Sequence, residues 1–435
     1  MTRLIELDKE KYENFQKESP KSHFLQSYYW GEFSKAKKNL TPYYMGLVDE
    51  KDNVLGTCLL LEKKLPLSYS YFYSPRGFVI DYSNEELIKD MTEKVLDFIK
   101  TKKAIFLKID PDIIRKAYNY NNEEVNQKLD ADKVYNILKG IGFKHLGFTK
   151  NFETMQPRYT FRIDMENQTL EEIYEHFSKT TKQRIQKAIK LGTEVAIGNI
   201  DDIDTFYKLM MITESRKDFV SYDKDYYKTQ YEILSKNDMA KLFLGKINTT
   251  KIINNLEKEL DDVKIKKEKL GEATSKSAKN KLKEIEKTTE KINNELTKYK
   301  EAKEKYGETI TLNAHMIIKY NNKAWVLYAG NHNILTESYA NYNTYYEHIK
   351  YAYENDIKIY DQFGTIGDLS KDNPRLGLHE FKKKFGGDYV EFLGEFDYIT
   401  NKFMYFVFTK LVPLYRKLIR NRSKKVINNE VKRYK

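Results

Sequence analysis

The sequence predicts an α/β protein of two domains, the second interrupted by an antiparallel helical hairpin. Three observations predict this. Short strand-like runs alternate with helix-spaced stretches along most of the 435 residues, the pattern of layered α/β structure. Between 250 and 306 two heptad stripes flank a polar break containing Gly271. The length also exceeds what one core usually serves.

In chain order, 54–61, 69–73 and 104–109 read as strands. Stretches 85–101 and 131–140 have helical spacing, the latter ending at Gly140. Residues 170–191 read as one helix with a basic second half, Lys179 to Lys190, closed by Gly192. Segments 193–197 and 240–247 read as strands around a helical stretch at 202–214. After a break at 248–306, strands resume at 311–319 and 324–329, followed by a helix at 339–355 and a short strand at 358–360.

The break is the clearest local signal. Ile253, Leu256, Leu260, Val263, Lys267 and Leu270 follow alternating spacings of three and four, and Leu282, Ile285, Thr289, Ile292, Leu296 and Tyr299 repeat them. These are a/d stripes of a coiled coil. The flanking strands must rejoin one sheet, so the helices form an antiparallel arm of roughly 35–40 Å at about 1.5 Å per residue. Lys267 and Thr289 at seam positions weaken the coil and fix its register. Such an arm serves either as a dimerisation or rigidifying element, which leaves a homodimer open, or as a lever for a large partner. Its sixteen lysines against twelve acids are too mixed to demand nucleic acid.

Composition narrows the class. At 40% hydrophobic and 14% aromatic the chain can fold. Its lone cysteine, Cys58, excludes an internal disulfide and a Cys-rich metal module, and fits a cytoplasmic setting. The start does not read as a signal peptide, and no apolar run reaches the roughly 20 residues of a membrane span. Of the net charge of +12, residues 410–435 carry ten Lys and Arg against Glu430 alone. That basic tail seeks phosphates on RNA or an anionic bilayer, or simply solubilises the chain. Phe403, Val407, Leu411, Leu414 and Leu418 share a helical face, kinked at Pro413, which suits an interfacial helix.

Several engines are absent. There is no P-loop, no dinucleotide fingerprint, no nucleophile elbow and no acyl-CoA loop. The seven histidines (His23, His145, His176, His315, His332, His348, His379) show no metal-pair spacing. No metal and no cofactor is expected. The activated group then comes from elsewhere, or the protein only binds.

A series of strings carries a family resemblance: SHFLQSYYWGEFSK at 22–35, YFYSPRGFVID at 71–81, LKIDP at 107–111, GFKHLGF at 142–148 and QPRYTFRID at 156–164. It continues with KTTKQRIQKAIKLG at 179–192, YDQFGTIG at 360–367, GLHEFKKKFG at 377–386 and GEFD at 394–397. Together they resemble the Fem family of peptidoglycan aminoacyltransferases, in the branch with a coiled-coil arm. The resemblance implies two acetyltransferase-like (GNAT-like) domains, at 1–160 and at 161–247 with 307–400, an arm at 248–306 and a basic tail at 401–435. It implies transfer of glycine, alanine or serine from aminoacyl-tRNA to an amino group of a lipid-linked peptidoglycan precursor. The enzyme would work in the cytoplasm against the inner face of the membrane. A non-catalytic RNA- or membrane-binding module is the alternative.

The chemistry agrees with the resemblance. An aminoacyl ester is already activated, so positioning and one cation at the oxyanion suffice. The resemblance nominates Lys382 as that cation, with Phe381 beside it, and Asp110 at a strand end. A lysine run beside a helix is otherwise a solvated face, and Asp before Pro111 is otherwise a turn-former. For the acceptor it nominates Lys35, Arg76, Tyr222 and Tyr226. Tyr222 stands where the family tends to have arginine, which removes a phosphate clamp; either Arg216, one or two turns away, substitutes, or this branch holds its acceptor differently. Phe78 stands where the family favours proline.

Overall fold

The computed structural model describes residues 2–216, 221–271 and 275–411. The chain opens with β1 (Arg3–Glu6), α1 (Lys9–Glu18), α2 (Tyr28–Lys38), β2 (Thr41–Val48), β3 (Val54–Lys64) and β4 (Ser70–Ser74). Then come α3 (Glu85–Thr101), β5 (Ala104–Ile109), β6 (Ile114–Tyr118), α4 (Ala131–Ile141) and β7 (Lys144–His145). The middle holds β8 (Tyr159–Asp164), α5 (Leu170–Glu175), α6 (Lys179–Leu191), β9 (Glu194–Gly198), α7 (Ile203–Glu214), α8 (Lys224–Ser235) and β10 (Ala240–Asn248). The arm helices α9 (Thr249–Leu270) and α10 (Lys276–Tyr306) follow, then β11 (Thr309–Tyr320), β12 (Lys323–Asn331), α11 (Ala340–Glu354) and β13 (Ile359–Asp361). Last are α12 (Leu376–Lys383), β14 (Asp388–Phe392), β15 (Phe396–Ile399) and α13 (Lys402–Phe406).

Two compact units result: residues 1–160, 364–376 and 389–435 form the first, and 161–363 with 377–388 the second. Residues 364–376 and 389–400, expected in the second domain, thus belong to the first. For 389–400 strand pairing is the reason. β15 lies antiparallel between β5 and β7, with Phe396 opposite Ile109 and His145, and β14 pairs with β6.

The first unit is a sheet of order β1-β2-β3-β4-β5-β15-β7. Helices α3 and α4 cover it through Ile88, Met91, Val95, Ile99, Val134 and Leu138, all buried against Leu60, Phe72, Leu107 and Phe396. Helix α4 runs one residue past Gly140, because Gly142 is the residue that takes the left-handed cap at φ 114°. Phe78 is buried in this same core.

The second unit is built on strands ordered β8-β13-β12-β11-β10-β9, with β12 and β13 parallel. The single helix expected at 170–191 is two. Phe177 buries itself, and Ser178 ends the turn by accepting the Thr181 N–H at 3.2 Å, which starts α6 afresh. Helix α8 was not foreseen.

The arm is antiparallel and packs along its expected stripe. Ile253, Leu256, Val263, Ile292, Leu296 and Tyr299 are buried, while Leu260 and Ile285 are partly so. Its 22- and 31-residue helices would extend about 33 and 46 Å. At the seam, Lys267 meets Glu286 at 3.8 Å, and Thr289 turns its hydroxyl to the Ile285 carbonyl at 2.9 Å. The base is closed where the Thr249 N–H donates to the Glu308 carbonyl at 2.8 Å. Of the tail, Phe403, Phe406 and Leu411 are exposed; Pro413, Leu414, Leu418 and most of the basic residues lie outside the described residues.

Candidate active site

In the first unit the site begins at the end of β5. Asp110 is 2% exposed; its carboxylate accepts the Arg76 backbone N–H at 2.7 Å and the Tyr73 hydroxyl at 3.1 Å. Burial pushes its pKa up to about 7, against the lowering effect of the Arg76 charge and N–H, while Glu395 adds repulsion. Arg76 itself is buried. Its guanidinium donates to the Pro157 carbonyl at 2.7 Å and lies 4.4 Å over the Phe392 ring, so its side chain lines this cluster from inside. Lys35 is on the exposed face of α2 in its last turn.

In the second unit the site forms where β13 runs out. Asp361 pairs with Arg162 at 2.8 Å and also accepts the Phe363 N–H at 2.7 Å, which turns the chain. That turn presents the carbonyls of Gln362 and Phe363 to Lys382, from the last turn of α12. The ammonium donates to Gln362 O at 2.7 Å and to Phe363 O. In return the Gln362 carboxamide donates to Lys382 O at 3.1 Å and Gly386 O at 3.3 Å. Lys382 is only 6% exposed, and burial lowers its pKa from 10.5 to about 7 while Asp361 opposes the fall. A lysine with that pKa can give or take a proton near neutrality at small cost. The solvated-run reading of 382–384 therefore fails for Lys382 alone.

Phe381 packs edge-on to Tyr342 and Tyr345, with ring centroids 5.1 and 4.9 Å away. Beyond Tyr342 the basic helix arrives. The Arg184 guanidinium lies 5.0 Å over Tyr342 and also donates to its hydroxyl, and Lys187 sits 5.1 Å over Tyr339. An unbroken path of contacts thus joins the cationic face of α6 to Lys382.

Tyr222 and Tyr226 stack face to face at 3.8 Å. Tyr226 is buried and Tyr222 is half exposed. Burial and the neighbouring Tyr328 and Tyr222 push the Tyr226 phenol well above its ordinary range. Arg216 donates to the Asn331 carbonyl at 2.8 Å. So Tyr222 and Tyr226 come together, whereas Arg216 is directed to the end of β12.

Sequence reasoning missed a buried pair. His315 on β11 and His348 on α11 meet at 3.1 Å, and the Tyr360 hydroxyl bonds His348 at 2.5 Å. The two histidines are 33 positions apart, so no local spacing could have joined them. Only the inward phase of strand and helix carried a trace of it. Among the described residues no three His, Cys, Asp or Glu are grouped to hold a metal, and no helix is long and apolar enough to cross a membrane.

Fold and site together define a two-unit α/β protein with an inserted coiled-coil arm and a titratable lysine buried at a strand end. The FemAB family model matches residues 7–412, and the chain belongs to that family. Similar relatives include a lipid II:glycine glycyltransferase of Staphylococcus epidermidis, 30% identical over 94% of this chain and 95% of that protein. The lipid II:glycine glycyltransferase of Staphylococcus aureus is 31% identical, over 94% of this chain and 96% of its own. The crystal structure of FemX superposes with a TM-score of 0.74 at 29% identity, covering 93% of this chain and 98% of that one. The expected mixed α/β fold and the expected family both hold.

Proposed function

We infer that this protein transfers glycine from aminoacyl-tRNA to an amino group of a lipid-linked peptidoglycan precursor. The single observation that carries the mechanism is Lys382, buried between two backbone carbonyls with a pKa brought to about 7. The near-full-length similarity to lipid II:glycine glycyltransferases supports glycine and the lipid-linked acceptor. The resemblance and the absence of any other activating motif support the tRNA ester as donor.

In the reaction the acceptor nitrogen attacks the ester carbonyl and a tetrahedral oxyanion forms. The C–O bond to the ribose then breaks, and the proton lost from nitrogen ends on the ribose oxygen. The Lys382 ammonium neutralises the developing oxyanion. Phe381 and its aromatic neighbours keep water from the ester. In the first unit Asp110, with a pKa of about 7, is able to take up a proton near neutrality. The Tyr222–Tyr226 stack contacts the acceptor, and the enzyme works at the inner face of the membrane, reached through the basic tail.

The test is transfer of labelled glycine from charged tRNA to lipid II, with wild type and Lys382→Ala compared. Label on the lipid with wild type alone supports the reading. Equal transfer by both removes Lys382 from the mechanism, and no transfer with any charged tRNA overturns the function. Vesicle flotation with and without residues 412–435, in the absence of RNA, tests the membrane role.

A further inference from the structure

The strand register of the first unit gathers five chain connections at one end of its sheet. Lys64 is opposite Ser70, Ser70 is opposite Ala104, and Phe106 is opposite Ile399. Thr41 faces Glu62, and Asp397 faces Lys144. Segments 35–40, 63–69, 100–103, 139–144 and 399–411 therefore leave the sheet side by side. Contacts tie some of them together. Lys63 Nζ donates to the Lys38 and Asn39 carbonyls at 3.4 and 3.3 Å, and the Ser70 N–H donates to the Lys103 carbonyl at 3.4 Å.

The composition of this end is one-sided. The five segments carry twelve lysines and no Asp or Glu. At the opposite end of the sheet, 49–53, 75–84, 110–113 and 393–395 hold seven acids against Lys51 and Arg76. Helices α2, α3 and α4 finish at the lysine end, and their carbonyl termini favour basic residues. That accounts for lysines in their last turns. It does not account for Lys64 at the end of β3, nor for Lys402, which begins α13 against the dipole.

Nor does it account for the apolar side chains exposed among them. Leu67, in the β3–β4 turn, is 82% exposed, Phe403 73% and Phe406 53%. Helix α13 is anchored by its other side. The Tyr405 ring packs edge-on to Phe106 at 5.4 Å and its hydroxyl donates to Asp397 at 2.7 Å, while the Phe408 ring lies 5.2 Å from Tyr71. The chain thus crosses from β15 over β5 to β4, towards the turn that carries Leu67.

Apolar tips set among lysines fit a partner that offers hydrocarbon and negative charge in one plane, which describes an anionic bilayer. RNA would answer the lysines and leave Leu67 without a partner. The chain that continues beyond Leu411 has the same character, since residues 412–435 hold nine Lys and Arg against Glu430.

We propose that this end of the first sheet is a membrane-docking face. Leu67, Phe403 and Phe406 enter the headgroup layer of an anionic bilayer, and Lys64, Lys103 and Lys402 meet its phosphates. The folded unit, and not the tail alone, then sets how the protein stands on the membrane. Six-residue β5 leads from this end to Asp110, so that carboxylate stands about 20 Å from the lipid, at about 3.3 Å per residue. The inference rests on the proposed function only for the reason to meet a membrane.

The one native cysteine, Cys58, is buried, so a cysteine placed on the surface of the full-length protein takes a polarity-sensitive dye alone. Leu67→Cys and Phe403→Cys are labelled, with Lys51→Cys at the opposite end as reference. Each is mixed with vesicles of phosphatidylglycerol and phosphatidylcholine, without RNA. A blue shift and quenching by nitroxide lipids are expected at 67 and 403, and neither at 51. Partition into the vesicles should fall roughly tenfold in Leu67→Ser, and about fivefold in each of Lys64→Gln, Lys103→Gln and Lys402→Gln. Vesicle binding with no dye response at 67 would leave the tail as the contact and overturn the proposal, as would no vesicle binding at all. Sensitivity to the lysine changes with none to Leu67→Ser would assign this end to phosphates alone, RNA included, and overturn it too. None of these readouts involves transfer. A dye response without any glycyl transfer by wild type would overturn the proposed function and keep the docking face.

Discussion

Replacing Lys382 with methionine should remove activity and stabilise the protein. The side chain is 6% exposed, and burial takes its pKa from 10.5 to about 7. That difference makes the charged amine costly in the folded state, by about 5 kcal/mol. The ammonium's bonds to Gln362 O and Phe363 O are lost with it, at a cost of about 2–4 kcal/mol together. Methionine fills a similar volume, so a net gain of about 1–3 kcal/mol remains at pH 7. The sign with pH follows from the direction of the shift. Below about pH 7 the amine is charged in folded and unfolded chains alike, and its cost is fully present. Between about 7 and 10.5 the unfolded chain holds the extra proton, so wild type gains stability with rising pH while the variant does not. Urea denaturation of both proteins from pH 6 to 10 reads this directly. A variant less stable than wild type at pH 7, with a gap that does not change with pH, would refute the reasoning. Transfer should fall by roughly 100-fold or more.

Asp110→Asn keeps an acceptor for the Arg76 N–H and removes a charge whose pKa burial raises from 3.8 to about 7. Wild type should therefore lose stability relative to this variant as pH climbs through that window, measured by urea midpoints at its two ends, and transfer should drop. Leu256→Asp puts a charge into the buried seam of the arm, at a local cost of about 3 kcal/mol. Hydrogen exchange should accelerate in α9 and α10 while the strands of the second unit keep their protection. Tyr222→Ala loses a 3.8 Å stack worth about 1 kcal/mol. Because Tyr222 is half exposed, stability should fall by no more than that, while KM for the lipid-linked acceptor rises and KM for charged tRNA stays.

Local regularity was legible in the sequence. Heptads at 253–299 named the arm's seam, since each buried position there follows from a neighbour three or four residues away. The string HEFKKKF gave Lys382 only through resemblance. Nothing in three consecutive lysines says which one is buried, because that depends on the turn at Asp361–Phe363 some twenty residues upstream. The split between α5 and α6 was hidden by a continuous helical spacing, although Ser178 three residues before Thr181 is a capping signal. Long-range partners were not legible. The return of 389–400 to the first unit depends on pairing with β5 and β6, almost 300 positions away. The His315–His348 contact depends on a sheet face meeting a helix face.

The closed base of the arm bears on how the second unit folds. Asn248 and Thr309 are opposite rungs of one ladder, yet sixty residues lie between them. Were that segment a flexible coil, bringing the rungs together would cost about 2.4 kcal/mol more than closing a loop of four, at about 0.6 kcal/mol per doubling. Because α9 and α10 zip through contacts near in sequence, they bring their own ends side by side before the sheet exists. The insertion then acts as a splint, turning a distant pairing into a local one. Weakening the seam should therefore slow refolding of β10 and β11 more than it hastens their unfolding, an outcome visible as a lowered folding limb in a chevron plot.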